Sequence, residues 1–445
     1  MKKILIANRG EIASRVIRTC NNMGIETIAI YSDADKNLPY VNEATKAIRI
    51  GESPVQKSYM AMDAIVKLAL EENVDGIHPG YGFLSENAMF AKLVNDNGIT
   101  FIGPQHDVIA LMGEKIQARK EMQKAGVPIV PGSHESVSSV EEACVIADKI
   151  GYPVMIKASS GGGGVGMQRC NDEQELKKVV VSIKNRAKAY FGNDEIFIEK
   201  YVADARHIEI QICADTAGNI VHLFERDCSI QRRNQKVIEE TPSPFLSEES
   251  RRAMIDCALK VAAHVGYTNV GTVEFVVDND ENFYFLEMNT RLQVEHPITE
   301  MVTGIDLVEW QIRLSCGENM PLLQHEINSN GHALEFRLYA EDPVTYLPSP
   351  GTLNVLTYPS TEGVRIDKGY DEGCQVTPFY DPMIAKLVIH GLDRNDVLHK
   401  AEKLLEEMKV EGIKNNLPLL EKVIQNEMFR EGCYTTSFLS RQYSR

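Results

Sequence analysis

The chain has 445 residues, too many for a single hydrophobic core, so we expect two to four packed units. Hydrophobic residues make up 43% of the sequence and charged residues 25%, which is ordinary for a soluble globular protein. The formal net charge of −16 argues against nucleic acid or an anionic membrane surface as a partner, but it leaves room for a local basic pocket that binds phosphate.

Cysteine usage and the N-terminus bear on location. The nine cysteines lie far apart and form no Cys-x-x-Cys pair, so neither a zinc site nor a redox dithiol is indicated. An odd number without a disulfide-like framework fits a reducing cytoplasm. The apolar run before Asn8 has only four residues, too few for a signal peptide, and no stretch is long enough to span a bilayer. We therefore expect a cytoplasmic protein.

The first hundred residues alternate between strand and helix patterns. Apolar runs indicate strands, and apolar residues at helical spacing, such as Ile12 and Val16, indicate helices between them. This rhythm predicts a parallel sheet with helices on both faces. No Gly-x-Gly-x-x-Gly follows the first strand, so a nicotinamide cofactor is not favoured. The predicted strands are residues 3–7, 27–31, 76–78 and 100–102, and the predicted helices end at Gly24, cover 60–70 and follow Ser85.

A second unit covers about 115–202, and glycine and proline residues near its start indicate turns. Beyond it the chain consists largely of predicted strands. The segments 272–277 and 283–287 flank Asp-Asn-Asp and predict a hairpin. The remaining predicted elements are strands 154–157, 196–199, 206–213 and 220–225, and a helix over 395–408.

The run Ser159-Ser-Gly-Gly-Gly-Gly-Val-Gly-Met167 is the first candidate for chemistry. Successive glycines let backbone N–H groups approach an anion closely. The run follows an apolar strand, with Lys157 just upstream, which favours a phosphate-covering loop over a flexible linker. No Gly-Lys-Ser/Thr follows, so it is not a Walker A loop.

A stronger signal is the alternation of polar residues from Glu287 to Glu295. In an extended chain alternate side chains share a face, so this segment would present two carboxylates, two amides and a guanidinium together. Glu274, from the partner strand of the predicted hairpin, adds a carboxylate. Glu274, Glu287 and Asn289 offer hard oxygen ligands that suit magnesium held with ATP phosphates. The alternative is a solvated strand face, which more often carries Lys, Ser and Thr.

Three further features are ambiguous when taken alone. The segment from Gln231 to Lys236 is basic within an acidic protein, so it is either a surface turn or a pocket for phosphate and bicarbonate. For His207 alone, a structural histidine is the better interpretation. Lys115 alone would pass as a solvated helix residue.

Four longer segments carry a family resemblance: Ile-Ala-Asn-Arg-Gly-Glu-Ile-Ala (6–13), His-Pro-Gly-Tyr-Gly-Phe-Leu-Ser-Glu-Asn (78–87), Glu-Met-Asn-Thr-Arg-Leu-Gln-Val-Glu-His-Pro (287–297) and Tyr-Asp-Pro-Met-Ile-Ala-Lys-Leu (380–387). They resemble biotin carboxylases, the ATP-grasp enzymes of acyl-CoA and pyruvate carboxylation, over essentially the whole chain. The resemblance implies a mixed α/β and α+β fold. It would comprise an N-terminal α/β domain (1–114), an ATP-grasp domain (115–320, lid about 130–202) and a C-terminal mixed α/β domain (330–445).

The resemblance also implies the contacts of ATP and of magnesium or manganese. Asn234 departs from the commoner pattern, because many members have a ribose-contacting histidine there. Val165 departs as well, in the glycine loop, where many have a basic residue. The implied metal ligands are Glu274, Glu287 and Asn289, and the implied ATP contacts are Lys115, Lys157, Gly163, Gly164, Glu199, Lys200, Tyr201, Val202, His207, Gln231, Asn234, Glu274 and Glu287.

For the reaction, the resemblance implies that Glu295 deprotonates bicarbonate, which attacks the γ-phosphate to give carboxyphosphate. This breaks down to carbon dioxide and phosphate, and phosphate takes the N1 proton of biotin while Arg337 stabilises the ureido oxygen. Tyr81 lies in a loop near biotin in the family. The implied bicarbonate pocket consists of Lys236, Arg291, Gln293, Val294 and Glu295, and the implied catalytic residues are Glu295, Arg291, Lys236 and Arg337.

Partners follow from the same resemblance. The sequence contains no Ala/Val-Met-Lys-Met biotin-attachment motif, so we expect a separate biotin carboxyl carrier protein and a separate carboxyltransferase subunit, with the chain as a homodimer. Acetyl-CoA or another acyl-CoA is the expected acceptor, with a urea or pyruvate carboxylase system as the alternative. Two rival hypotheses are another ATP-grasp ligase, which biotin dependence would distinguish, and a non-catalytic nucleotide-binding scaffold, which an ATPase assay would distinguish.

Overall fold

The N-terminal unit is a five-stranded parallel sheet with strand order β3-β2-β1-β4-β5 in a computed structural model that describes residues 1–133, 135–159 and 166–443. In the first strand, Ile4 and Ile6 pack on one side with the first helix, and Leu5 packs on the other side with the third and fourth helices. The predicted parallel sheet with helices on both faces is therefore confirmed. Its elements are β1 (Lys3–Ile6), α1 (Gly10–Asn22), β2 (Glu26–Ser32), α2 (Pro39–Glu43), β3 (Lys46–Gly51), α3 (Met62–Glu71), β4 (Gly76–His78), α4 (Ala88–Asp96), β5 (Thr100–Phe101) and α5 (His106–Gly113).

A smaller unit follows, with a three-stranded antiparallel sheet in the order β7-β6-β8. Val154 and Ile156 pack against the helices of this unit. Because side chains alternate along a strand, Met155 and Lys157 face the opposite side. The elements are α6 (Lys115–Lys124), α7 (Val140–Ile150), β6 (Val154–Ala158), β7 (Met167–Cys170), α8 (Glu173–Phe191) and β8 (Ile196–Lys200).

The next stretch supplies most of a large antiparallel sheet. The predicted hairpin is present, and its register places Glu274 directly opposite Glu287 and Thr272 opposite Asn289. The elements are β9 (Arg206–Ala214), β10 (Ile220–Arg232), β11 (Gln235–Thr241), α9 (Glu248–His264), β12 (Asn269–Val277), β13 (Phe283–Asn289), α10 (His296–Thr303), α11 (Leu307–Ser315) and β14 (His332–Tyr339).

The C-terminal part completes the large sheet, whose eight strands run in the order β13-β12-β9-β10-β11-β14-β19-β17. The strands that carry Lys236 and Arg337 are therefore neighbours, although a long stretch of chain separates them. Within the described ranges, no helix has both the length and the apolar character needed to cross a membrane. The last elements are β15 (Gly351–Thr352), β16 (Val355–Thr357), β17 (Val364–Lys368), β18 (Gln375–Val376), β19 (Met383–Gly391), α12 (Arg394–Glu407), β20 (Lys409–Glu411), α13 (Leu417–Ile424), α14 (Glu427–Arg430) and α15 (Phe438–Tyr443).

Candidate active site

A cleft of about 680 Å³ lies between the three-stranded sheet and the face of the large sheet. It brings together side chains from both sheets, the α6 helix and the loop that follows β13. The sequence-predicted site residues that line it are Lys115, Lys157, Glu199, Lys200, Tyr201, Val202, His207, Gln231, Asn234, Lys236, Glu274, Glu287, Asn289, Arg291, Gln293, Val294, Glu295 and Arg337.

Lys236 is the cationic centre of the cleft. Its Nζ lies 2.6 Å from Glu209 Oε2, 2.9 Å from Glu274 Oε1 and 2.6 Å from Glu295 Oε1. Burial would lower the pKa of Lys236, but the surrounding carboxylates outweigh burial and raise it well above its usual value. Removing one partner from such a buried group costs about 3–5 kcal/mol, so this arrangement holds the three carboxylates in place.

Glu295 lies between two cations. Its Oε1 faces Lys236, and its Oε2 accepts a hydrogen bond of 3.0 Å from Arg337 Nη2. The same guanidinium lies 2.6 Å from Glu239 Oε1. Burial would raise the pKa of Glu295, but the charges of Lys236, Arg337 and Arg226 hold it well below its usual range. Glu295 is therefore ionised at neutral pH, the form that a general base requires.

Three side chains contact the Glu274 carboxylate, and two of them, Lys236 and Gln293, donate hydrogen bonds to it. His207 Nε2 lies 2.8 Å from its Oε2, and Gln293 Nε2 donates to its Oε1 at 2.8 Å. On the other side of the ring, Gln231 Nε2 lies 2.9 Å from His207 Nδ1 and so fixes the orientation of the imidazole. Burial acts to raise the pKa of Glu274, but Lys236 and His207 hold it well below its usual value. His207 is thus tied into the cleft network instead of being an isolated structural histidine.

Glu274, Glu287 and Asn289 share one face of the β12–β13 hairpin, since opposite residues and residues two apart point the same way. Glu287 is partly open to the cleft, and its Oε2 lies 3.6 Å from Lys115 Nζ. Carboxylate and amide oxygens are what a hard divalent cation prefers, so this donor set fits magnesium or manganese.

The path of the chain after Asn289 differs from the prediction. The alternating segment was predicted to be extended up to Glu295, which is wrong: β13 ends at Asn289, and the chain bends toward the helix that begins at His296. The bend is held by Glu86, whose Oε1 accepts from Thr290 N at 3.1 Å and whose Oε2 accepts from Arg291 Nε at 3.0 Å. The side chains of Arg291, Gln293 and Glu295 nevertheless line the cleft.

The nucleotide side of the cleft depends on the small sheet. In the β6–β8 register, Lys157 and Glu199 are diagonal neighbours on one face, and their side chains form an ion pair. The Lys200 ammonium donates to the backbone carbonyls of Gly151 and Tyr152, at 2.9 and 3.0 Å. The contact of Lys200 with the nucleotide stays a prediction.

Two predicted groups of residues fall elsewhere. Gly163, Gly164 and Val165 lie outside the described residues. Tyr81 is not among the described residues that line the cleft; instead, its ring centre lies 5.9 Å from Lys386 Nζ. The biotin contact of Tyr81 stays a prediction.

Sequence reasoning missed Glu209, Glu239 and Glu86, which position the residues that it did find. Glu209 was detectable, because it follows His207 at strand period in β9, pointing to the same face. Glu239 was not, because only the pairing of β11 with β14 places it near Arg337.

The comparisons with known proteins fit this geometry. A family model described as "Carbamoyl-phosphate synthase L chain, ATP binding domain" matches residues 114–323, so most of the cleft belongs to a class of ATP-binding enzyme domains. The flanking regions, 1–109 and 335–441, match the N-terminal and C-terminal domain models of biotin carboxylase.

Relatives match the whole chain. "Biotin carboxylase 2" of Bacillus subtilis is 54% identical over 99% of both chains, and a pyruvate carboxylase subunit of Methanothermobacter thermautotrophicus is 47% identical over 98% of this chain and 89% of its own. The biotin carboxylase domain dimer of Hydrogenobacter thermophilus 2-oxoglutarate carboxylase, solved with magnesium ADP and bicarbonate, superimposes with a TM-score of 0.97 at 45% identity, over 99% of this chain and 97% of that one. The chain belongs to the biotin carboxylase family. It is accordingly an ATP-dependent ligase that carboxylates biotin with bicarbonate.

Proposed function

We propose that this cleft carboxylates biotin through carboxyphosphate, with Glu295 as the general base. The observation that carries the proposal is the position of Glu295, buried and ionised between Lys236 and Arg337 at 2.6 and 3.0 Å. A base in this position can take a proton only from a molecule bound in the same cleft, because the surrounding protein excludes bulk water.

Bicarbonate would also make Glu295 more basic. Lys236, Arg291 and Gln293, with the backbone of Val294, form the proposed bicarbonate pocket. An anion bound there competes with Glu295 for the charge of Lys236. Because that charge is one of the causes of the low pKa of Glu295, its partial withdrawal raises the pKa and favours proton transfer to Glu295. The deprotonated anion then attacks the γ-phosphate of ATP.

ATP would lie between the small sheet and the β12–β13 hairpin. Lys115 and Lys157 face the phosphates, and the segment from Glu199 to Val202 faces the adenine ring. His207, Gln231 and Asn234 supply further nucleotide contacts. Magnesium or manganese bound by Glu274, Glu287 and Asn289 would neutralise phosphate charge during phosphoryl transfer.

Arg337 would act in the second step. When bicarbonate has reacted and biotin enters, its guanidinium stabilises the negative charge that develops on the ureido oxygen as the N1 proton leaves. Glu239, 2.6 Å from Nη2, keeps the guanidinium oriented during this change of partner.

The test of this function is transfer of labelled carboxyl from bicarbonate to free biotin. We expect label in biotin only when ATP and magnesium are both present. Label that appeared without ATP, or ATP consumption that never delivered label to biotin, would contradict the proposal.

For the complete reaction, we propose a separate biotin carboxyl carrier protein and a separate carboxyltransferase, with this chain acting as a homodimer. The Methanothermobacter thermautotrophicus relative is named as one subunit of a pyruvate carboxylase, which supports separate components. The solved Hydrogenobacter thermophilus domain is described as a dimer, which supports the homodimer. We propose acetyl-CoA or another acyl-CoA as the acceptor. Pyruvate is an alternative acceptor, supported by the relative named as a pyruvate carboxylase subunit, and urea is a second alternative. Adding the partner carboxyltransferase and testing each acceptor for label uptake distinguishes them.

Asn234 gives a prediction for the nucleotide side. It lies in the two-residue turn between β10 and β11, where Arg233 and Asn234 have φ of 50° and 63°. Asparagine tolerates this left-handed conformation better than most residues. We expect Asn234→Ala to raise the KM for ATP with little change in kcat.

Asn234→Gly is the matched control, because glycine removes the side chain without backbone strain. If the side chain binds the nucleotide, both variants raise the KM for ATP. A normal KM in the glycine variant would assign the alanine effect to the backbone, and a large loss of kcat at unchanged KM would contradict the nucleotide role.

A further inference from the structure

Two of the family-like segments, 6–13 and 380–387, supply none of the residues that line the cleft in the described structure. Each carries a charged residue with a buried side chain, and the fold brings the two together. Lys386 Nζ, in the middle of β19, lies 3.2 Å from Glu11 Oε2 in the first turn of α1. A buried ion pair between distant parts of a chain is weak evidence for stability, so its position requires another explanation.

The second contact of Lys386 supplies that explanation. Its Nζ donates a hydrogen bond of 2.8 Å to the backbone carbonyl of Val294, the residue directly before Glu295. Residues 290–295 belong to neither a helix nor a strand. Because the peptide is planar and trans, anchoring the Val294 carbonyl on one side fixes the Glu295 N–H on the opposite side.

The register of the large sheet places a second cation beside Lys386. Arg337 and Lys386 are directly opposite each other on β14 and β19, so their side chains leave the same face of the sheet. Arg337 holds the Glu295 carboxylate, and Lys386 holds the carbonyl that precedes Glu295. Two adjacent cations therefore fix the base at two points, one on the side chain and one on the backbone.

Glu11 keeps the ammonium in place. Burial raises the pKa of the Glu11 carboxyl to about 6, although the charge of Lys386 acts to lower it. Neither carboxylate oxygen of Glu11 accepts a well-aligned hydrogen bond within the described structure, so the ion pair with Lys386 is its main polar interaction. The cost of burying Glu11 is offset chiefly by Lys386 while it stays between Glu11 and Val294, with a smaller contribution from Arg365.

We propose that Lys386, held by Glu11, is a positioning residue that fixes the Val294–Glu295 peptide in the bicarbonate pocket. This inference rests on the proposed role of Glu295. It gives the two otherwise unused segments a shared function: they connect the N-terminal unit and the last strands of the large sheet to the base.

The test is steady-state kinetics of Lys386→Met, which keeps the length of the side chain and removes the ammonium. A shift of the base by even about 1 Å can cost about 10²-fold, so we expect kcat/KM for bicarbonate to fall by about that factor while the KM for ATP stays near the wild-type value. A merely structural lysine would weaken both substrates alike or lower the Tm alone. Unchanged bicarbonate kinetics, or equal losses for ATP and bicarbonate, would overturn the proposal.

Lys400→Met is the matched control. Lys400 likewise pairs with a carboxylate, Asp396 at 2.8 Å, and donates to a backbone carbonyl, that of His390 at 3.2 Å, but it lies away from the cleft. Its bicarbonate kinetics should match the wild type.

Glu11→Gln decides the question if Lys386→Met fails to fold. We expect a smaller loss confined to kcat/KM for bicarbonate, and wild-type values for that parameter would overturn the proposal. Turnover by the wild-type enzyme distinguishes failure of the proposed function from failure of the positioning role. If it shows no bicarbonate-dependent turnover, the proposed function fails; if it does and the variants are normal, only the positioning role fails.

Discussion

Glu295→Gln should slow bicarbonate-dependent ATP cleavage by about 10²–10⁴-fold, because it removes the group that takes the proton from bicarbonate. Glutamine has nearly the same shape, and its single amide oxygen can still accept a hydrogen bond from one of the two cations, Lys236 or Arg337, so the cleft should keep its form. The measurement is ADP release at saturating ATP and bicarbonate, together with nucleotide affinity, which we expect to be unchanged.

The chain offers a matched control for this substitution. Glu225 is also a buried glutamate held by an arginine, with Oε1 2.8 Å from Arg251 Nε, but it does not line the cleft. Glu225→Gln should therefore turn over ATP at close to the wild-type rate. Near-normal turnover by Glu295→Gln would remove Glu295 from the mechanism.

Arg337→Gln should have its largest effect on the second half of the reaction. Loss of one positioned donor to a developing oxyanion typically costs about 10²–10³-fold, so carboxylation of biotin should fall by that factor. Bicarbonate-dependent ATP cleavage in the absence of biotin should fall less than carboxylation of biotin, because Lys236 still contacts the Glu295 carboxylate at 2.6 Å and Lys386 still anchors the preceding carbonyl at 2.8 Å.

The two rates are measured on the same preparation, as label transferred to biotin and as ADP released without biotin. Arg251→Gln serves as the control for losing a largely buried arginine outside the cleft. If both rates of Arg337→Gln fell equally, Arg337 would belong to the bicarbonate step with Glu295 and not to the stabilisation of biotin.

Local patterns predicted much of the fold. The βαβ rhythm predicted the parallel sheet, and the turn Asp278-Asn279-Asp280 predicted the β12–β13 hairpin, whose register then placed Glu274 opposite Glu287. These features depend on neighbours in sequence, where periodicity and turn residues carry the information.

The rest of the site depends on contacts that no local pattern contains. Alternating polar residues fit an extended chain, and the bend after Asn289 arises because Glu86 holds Thr290 and Arg291. Pro297, in the first turn of α10, was the available signal that a helix begins there. Likewise, the meeting of Lys236 with Glu209 and Glu295 requires the strand order of the large sheet, which sequence spacing does not determine.

The most direct test of the central claim is ADP release by the wild-type protein with ATP and magnesium, measured with and without bicarbonate and free biotin. We predict release that requires bicarbonate and rises when biotin is added. ATP turnover that proceeded without bicarbonate and ignored biotin would contradict the account and would indicate another ATP-grasp activity.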